Sequence, residues 1–195
     1  MLAKFQSYLK ERLAITDEQA QEATSCLKSK TFKKGTVLLS PGDLRSENYF
    51  INEGLLRYFS IDEKGKEHII QFAPENWMIS DRNTSLFNEP SVFFIDAIEN
   101  TEVLIVPSHF FVDIQKLLPH ILELNILMLH NSIRFMQKRI NMLLSATAEE
   151  RYLDFIKLYP NLTLRVPQWM IASYLGITPE SLSRVRKDLA KKHFK

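Results

Sequence analysis

Residues 167–191 read PQWMIASYLGITPESLSRVRKDLAK, and this stretch decides the fold of the C-terminal part of the chain. Residues 168–175 predict a short helix, and Gly176 directly after it supplies the left-handed backbone conformation that a tight turn requires. A second helix then begins with three residues that each favour a helix start: Thr178, Pro179 and Glu180. The pattern predicts a helix-turn-helix, in which the second helix enters the major groove of DNA.

The predicted second helix has a polar face that is suited to reading base pairs. The first turns of a recognition helix face base edges, which places Ser181 and Arg184 for readout. An arginine that forms two hydrogen bonds with guanine discriminates against other bases by about 1–3 kcal/mol. Arg186 and Lys192 are expected to meet phosphates, which carry no sequence information. The predicted DNA-binding residues are Gln168, Thr178, Glu180, Ser181, Arg184, Lys187 and Lys191. The alternative is an ordinary helical hairpin with a solvated basic face.

Upstream, apolar residues recur at alternating steps of four and three, which is the spacing of a coiled-coil seam. This pattern predicts a long helix that packs against the same helix of a second copy, so a homodimer is expected. The predicted interface residues are Leu122, Ile126, Leu129, Ile133, Met136, Ile140 and Leu143. The alternative is a helix that packs only on its own domain. Leu124, Leu127 and Phe135 widen the apolar stripe, so one side of the helix is expected to rest on its own domain.

Residues 147–150 predict a capping box that opens a further short helix, so residues 145–147 form the expected hinge. Before the long helix, short β-prone runs with glycine-bearing turns follow one another between residues 31 and 107, at a spacing of roughly ten residues. This spacing is typical of a sandwich or barrel. Residues 3–29 have helical spacing with a short break before Thr16, and a long helical stretch is expected from Ser108 onward.

The charge of the chain is unevenly distributed. Its formal net charge is +2, but residues 147–195 contain nine Lys and Arg against five Asp and Glu, which suits a tail that meets phosphates. Cys26 is the single cysteine, so no disulfide or iron–sulfur cluster is expected. The five scattered histidines favour no metal site, and the alternative is that His120 and His130 ligate a haem or metal. The sequence has no membrane-spanning run, secretory signal or catalytic fingerprint, so we expect a cytoplasmic protein that is not an enzyme.

Three stretches together resemble the Crp/Fnr family. Residues 34–43 (KGTVLLSPGD) and 49–57 (YFINEGLLR) are similar to the first strands of its β-roll, and residues 172–184 (ASYLGITPESLSR) are similar to its helix-turn-helix. The resemblance implies an α+β fold with an N-terminal jelly-roll-like β-roll and flanking helices, a long dimerisation helix, and a C-terminal winged-helix-like helix-turn-helix with a reduced wing. The sensor domain, dimerisation helix and DNA-binding domain are expected at residues 1–115, 116–146 and 147–195. Double-stranded DNA, a second copy and RNA polymerase are the expected partners.

The resemblance also implies a site inside the β-roll, where cyclic-nucleotide-binding members hold the phosphate with an arginine. Here Ile79-Ser80 replaces the Gly-Glu of that cassette, and Ser91 stands near the arginine position. A buried phosphate would lack its counter-charge, so no cyclic nucleotide cofactor is expected. The candidate residues for another small ligand are Met78, Ile79, Ser80, Asp81, Ser91 and Val92, with Ile126 and Leu129 on the long helix. Such a ligand would bias the spacing of the two recognition helices in a dimer.

Two departures from the family concern DNA binding. Pro179 stands where the family often has an arginine, so the half-site should differ, and the short stretch after the recognition helix leaves little room for a wing. The expected function is that of a homodimeric, sequence-specific regulator of transcription. The alternative is a sensor that acts through a protein partner, with a helix-turn-helix that does not bind DNA. Replacing Arg184 separates the two hypotheses, because only the first predicts a loss of DNA selectivity.

Overall fold

The computed structural model describes residues 2–193, which contain eight α-helices and eight β-strands. The helices are α1 (Ala3–Leu13), α2 (Asp17–Thr24), α3 (Phe110–Asp113), α4 (Ile121–Ser145), α5 (Ala148–Leu158), α6 (Leu162–Arg165), α7 (Gln168–Leu175) and α8 (Pro179–His193). The strands are β1 (Lys28–Phe32), β2 (Val37–Leu39), β3 (Glu47–Glu53), β4 (Leu56–Ile61), β5 (Glu67–Ala73), β6 (Met78–Ile79), β7 (Phe94–Ala97) and β8 (Thr101–Pro107). A π-helical turn covers Asn83–Phe87, and a 3₁₀ turn covers Ile114–Lys116.

The strands form two four-stranded sheets, as the turn spacing predicts. One sheet has the order β1-β8-β3-β6 and the other has the order β2-β7-β4-β5. Alternate side chains of a strand point to opposite faces, and one face of each sheet contributes to a shared apolar core. This inner core includes Leu38, Leu39, Tyr49, Ile51, Leu56, Ile79, Ile95 and Val103. The N-terminal β-roll of the predicted α+β fold is therefore confirmed.

The opposite face of the first sheet carries helices. Phe50 on β3 and Leu104 on β8 alternate with inner-core residues and pack with Phe5 of α1. The ring centroid of Phe5 lies 5.0 Å from that of Phe50 and 6.0 Å from that of Phe110. Ile121, the first residue of α4, belongs to the same cluster and is fully buried. Leu124, which widens the predicted stripe, is in this cluster too, so the first turn of α4 rests on its own β-roll as predicted. Leu127, which is expected to widen the same side, is instead 49% exposed.

The helical prediction over residues 3–29 is wrong beyond residue 24. The capping box at Thr16 is confirmed, since its side chain accepts from the Gln19 N–H and the Gln19 side chain accepts from the Thr16 N–H. However, Lys28 begins β1, which pairs antiparallel with β8. This pairing joins residues that are 69 to 77 positions apart, so the helical spacing of the local sequence could not reveal it.

The prediction of a long helical stretch from Ser108 is confirmed only from Ile121 onward. α3 and the 3₁₀ turn come first, and Pro119 precedes α4. A proline disfavours helical backbone at the residue before it, here Leu118, so one continuous helix is disfavoured. From Ile121 to Ser145 α4 runs without interruption for 25 residues through the predicted seam.

The chain divides into two compact units, Met1–Ile61 with Ile70–His130, and Asp62–Ile69 with Asn131–Lys195. In the second unit α5, α7 and α8 contact one another. The rings of Phe155, Tyr159 and Tyr174 pack there with centroid distances of 5.3, 5.4 and 5.8 Å. Between residues 131 and 193 the structure describes helices and no strand, so no wing lies among those residues. None of the described helices has the length and apolar character needed to cross a membrane.

Candidate nucleic-acid interface

The turn between α7 and α8 has the geometry that the sequence predicts. Gly176 has φ 67° and ψ 35°, in the left-handed region. Its N–H donates to the carbonyl of Ser173 at 3.1 Å. The hydroxyl of Thr178 accepts a hydrogen bond from the Ser181 N–H at 3.2 Å and so caps α8. The predicted helix-turn-helix geometry is confirmed, including the positions of its turn glycine and its cap.

α8 presents the predicted polar face to solvent. Glu180, Arg184 and Lys187 are exposed, whereas Leu182 is fully buried. Hydrogen bonds from its own amide and from the Thr178 hydroxyl lower the pKa of Glu180, so its carboxylate is charged at neutral pH. Of the other predicted contact residues, Ser181 is half-buried and the exposed ones are Gln168, Thr178 and Lys191. The face therefore combines a carboxylate acceptor with cationic donors.

Two arginines that the sequence analysis did not single out hold the end of α7. Arg151 Nη1 donates to the carbonyl of Leu175 at 2.6 Å, and Arg139 Nη2 donates to the carbonyl of Tyr174 at 2.9 Å. The last carbonyls of a helix lack partners within the helix and lie at the negative end of its dipole, so cations stabilise them. The Arg139 guanidinium also lies 3.6 Å from the ring centroid of Tyr174. The turn is thus anchored to α4 and α5 by contacts that no local motif marks.

The hairpin segment Asp62–Ile69 belongs to the same unit and is hydrogen-bonded to α7. Ser173 Oγ donates to the carbonyl of Glu67 at 2.8 Å and accepts from the Ile69 N–H at 3.0 Å. Arg139 Nη2 also donates to the carbonyl of Ile69 at 2.9 Å. One serine and one arginine therefore join α7, α4 and the hairpin, and they restrict how the helix-turn-helix can move within this unit.

We expect Gly176→Ala to lower the free energy of unfolding by about 1–2 kcal/mol, measured by urea denaturation. A residue with a Cβ is disfavoured at this left-handed backbone position. The added Cβ would also lie 3.2 Å from Leu143 Cδ2 and 3.4 Å from Arg151 Nη1. Gly65→Ala is the matched control, because Gly65 has φ 77° and no atom within 4 Å of an added Cβ. If both variants lose the same free energy of unfolding, the contact between the added Cβ and Leu143 makes no contribution to the loss at Gly176.

α4 leaves the central part of its predicted seam in solvent in the single chain. Ile126, Ile133 and Ile140 recur every seven residues and are 53%, 54% and 57% exposed. Leu122, at the first seam position, packs against the helical cluster of its own β-roll. Leu143, at the last position, lies beside the turn of the helix-turn-helix. The half-buried members of the seam are Leu129 and Met136. The exposed isoleucines form an apolar stripe along one side of α4.

In the β-roll, the structure brings Asp81 and Ser91 together. Both residues are 2% exposed, and the Ser91 hydroxyl donates a hydrogen bond to the Asp81 carboxylate. The Asn83 N–H donates to the same carboxylate at 2.8 Å. Burial and the nearby Asp81 carboxylate raise the pKa of Tyr58, whose hydroxyl hydrogen-bonds to it. A buried carboxylate at this position disfavours the phosphate of a cyclic nucleotide, because two like charges would share a poorly solvated site.

The other predicted ligand residues lie in different surroundings. Ile79 is part of the inner core, and Met78 packs against the helical cluster on the other face of the sheet. Val92 is 60% exposed and Ile126 is also in solvent. The half-buried members are Ser80 and Leu129. The eight predicted ligand residues therefore do not form one buried cluster, although two of them make a direct hydrogen bond.

Comparisons with known proteins agree with this architecture. Residues 29–116 match the family model of the cyclic nucleotide-binding domain. The anaerobic regulatory protein of Haemophilus influenzae is 27% identical over 169 residues, covering 81% of this chain, and the chain spans 65% of the length of that relative. FixK2 from Bradyrhizobium japonicum has a TM-score of 0.72 at 19% identity over 86% of each chain. A transcriptional regulator of the CRP/FNR family from Thermus thermophilus has a TM-score of 0.61 at 19% identity, over 85% of this chain and 87% of its own. The two solved structures share the fold.

Proposed function

We propose, from the premise that the chain belongs to the Crp/Fnr family, that it is a homodimeric, sequence-specific DNA-binding regulator of transcription. The observation that carries the proposal is the polar face of α8. Arg184 and Lys187 lie in solvent there, while Leu182 holds the helix on its own unit. A recognition helix needs this arrangement, because its donors must reach base edges without disturbing the packing that positions it.

Each predicted contact residue has a proposed role at the DNA. Ser181 and Arg184 read base edges, and the negatively charged Glu180 accepts from a cytosine amino group. Lys187 and Lys191 neutralise phosphates, and the DNA affinity that they supply decreases as the salt concentration rises. The residues proposed to position the two helices on the sugar–phosphate backbone are Gln168 and Thr178, which stand at the starts of α7 and α8.

The exposed stripe on α4 supports a homodimer as the form that binds DNA. Ile126, Ile133 and Ile140 would be buried against the same residues of a second copy, with Leu129 and Met136 between them. A dimer whose recognition helices are roughly 34 Å apart reads two half-sites on one face of DNA. RNA polymerase is the further proposed partner, and a small ligand other than a cyclic nucleotide is proposed to act through the β-roll.

Selection of genomic DNA fragments by the purified protein at about 0.1 M salt tests the proposal. We expect the wild type to recover a palindromic site. Arg184→Ala should reduce affinity for that site by roughly 5- to 150-fold for each half-site, because a bidentate contact with guanine is lost, and should leave non-specific binding nearly unchanged. The measurement is fluorescence anisotropy with selected and scrambled duplexes.

Arg134→Ala is the control for the loss of a cation, since Arg134 is exposed on α4 and lies outside the helix-turn-helix. It should bind the selected duplex as the wild type does. Equal, unselective recovery of DNA by the wild type and Arg184→Ala would overturn the proposed function. The favoured function would then be that of a sensor acting through a protein partner.

A further inference from the structure

A cavity of about 90 Å³ lies within the C-terminal unit, among α4, α5 and α7. Most of its wall is apolar and comes from Phe135, Met142, Leu143, Phe155, Leu158 and Leu175. Apolar walls of this kind favour a hydrocarbon group over water, because water in such a space finds too few hydrogen-bonding partners. The cavity is smaller than the roughly 150 Å³ space that accepts a benzene ring, so it suits a short chain.

The charged part of the wall has more cations than anions. Lys138, Arg139 and Arg151 contribute three positive charges, and Asp154 contributes one carboxylate. That carboxylate is already paired, since Lys138 Nζ donates to it. Arg139 is hydrogen-bonded to two backbone carbonyls, which are uncharged. The surplus of positive charge favours an anion as the occupant of the cavity.

Arg151 is the side chain best placed to hold that anion. Its Nη1 donates to the carbonyl of Leu175 at 2.6 Å. Its Nε is buried and has no hydrogen-bond acceptor among residues 2–193. A buried donor without an acceptor is destabilising, so a ligand that supplies one is favoured. A guanidinium can engage a carboxylate through two parallel hydrogen bonds, and Arg151 lines the cavity.

We propose that this cavity binds a small monocarboxylate, whose charged group pairs with Arg151 and whose short hydrocarbon chain lies among the apolar side chains. The ligand would contact α4, α5 and α7 together. Since Arg151 also holds the last carbonyl of α7, the ligand would touch the same side chain that anchors the turn of the helix-turn-helix.

Butyrate is the probe for this proposal, with butyramide as a neutral molecule of nearly the same shape. Both are titrated into the full chain up to about 10 mM and followed by saturation-transfer NMR, because ligands of this size bind weakly. We expect saturable binding of butyrate and at least about tenfold weaker binding of butyramide, which lacks the charge that Arg151 would pair with. Equal binding of the two, or no binding of butyrate, would overturn the proposal.

Two variants locate the site. Leu158→Phe should fill the cavity and abolish butyrate binding, and Arg151→Lys should weaken it about tenfold, because an ammonium group cannot form the paired hydrogen bonds. Lys157→Gln removes an exposed cation from the same helix and should bind butyrate as the wild type does. Circular dichroism establishes that each variant is folded. If Leu158→Phe is folded and still binds butyrate, the site lies elsewhere. The readout contains no DNA, so failure here leaves the proposed function standing.

Discussion

Replacing Ile133 with glutamate is expected to convert a dimer into a monomer and to weaken binding to a palindromic DNA site by roughly 10²- to 10⁴-fold. Ile133 lies at the centre of the exposed stripe on α4 and is 54% exposed in the single chain. In a dimer the two glutamates would face each other across an apolar seam, where desolvated like charges repel. A monomer binds each half-site separately, so the avidity that comes from two linked recognition helices is lost.

Sedimentation velocity measures the mass, and anisotropy with one-half-site and two-half-site duplexes measures the avidity. Ser132→Glu adds the same charge at the neighbouring exposed position outside the seam, so it should remain dimeric. The one-half-site duplex should bind both variants about equally. An unchanged sedimentation mass for Ile133→Glu would show that the stripe on α4 is not the dimer interface.

Replacing Asp96 with alanine is expected to lower the free energy of unfolding of the N-terminal unit by about 3–5 kcal/mol. Arg57 on β4 and Asp96 on β7 form a bidentate pair, with Nε–Oδ1 at 2.7 Å and Nη2–Oδ2 at 2.8 Å. Their side chains are only 8% and 13% exposed. Loss of the carboxylate would leave a guanidinium in a poorly solvated position without its charged partner, which costs much more than loss of an exposed ion pair.

Urea unfolding of the wild type and Asp96→Ala provides the measurement. The double variant Arg57→Met with Asp96→Leu is the control, because replacing a buried ion pair by apolar residues of similar size is often close to neutral. It should recover most of the lost stability. A loss below about 1 kcal/mol for Asp96→Ala would mean that the pair is solvated in solution and contributes as weakly as a surface pair.

The helix-turn-helix could be predicted from the sequence because its determinants are local. The glycine of the turn, the threonine cap and the first residues of α8 lie within five consecutive positions, 176–180. Backbone preferences act over this distance whatever the rest of the chain does. The long helix could also be predicted, since the four–three spacing of its apolar residues extends over three heptads.

The strand and the side-chain contacts that the sequence did not predict depend on partners that are distant in sequence. β6 has two residues and exists because Met78 and Ile79 pair with Phe50 and Tyr49. Arg139 reaches the carbonyl of Tyr174, which lies 35 residues away. The hydrogen bond between Ser91 and Asp81 forms within the folded β-roll, so the sequence showed only that two candidate ligand residues were polar. Neither hydrophobic periodicity nor a helix-cap motif indicates contacts between residues that are far apart in sequence.

The hydroxyl of Ser173 has a consequence for aggregation. β5 is the last strand of its sheet, and the backbone groups on the outer side of such a strand are open to pairing with another molecule. Ser173 Oγ occupies the Glu67 carbonyl and the Ile69 N–H, and Arg139 occupies the Ile69 carbonyl. α7 thereby blocks strand addition at this part of the edge. Separation of α7 from the hairpin would expose these groups, and exposed backbone groups of an edge strand favour edge-to-edge pairing with another molecule.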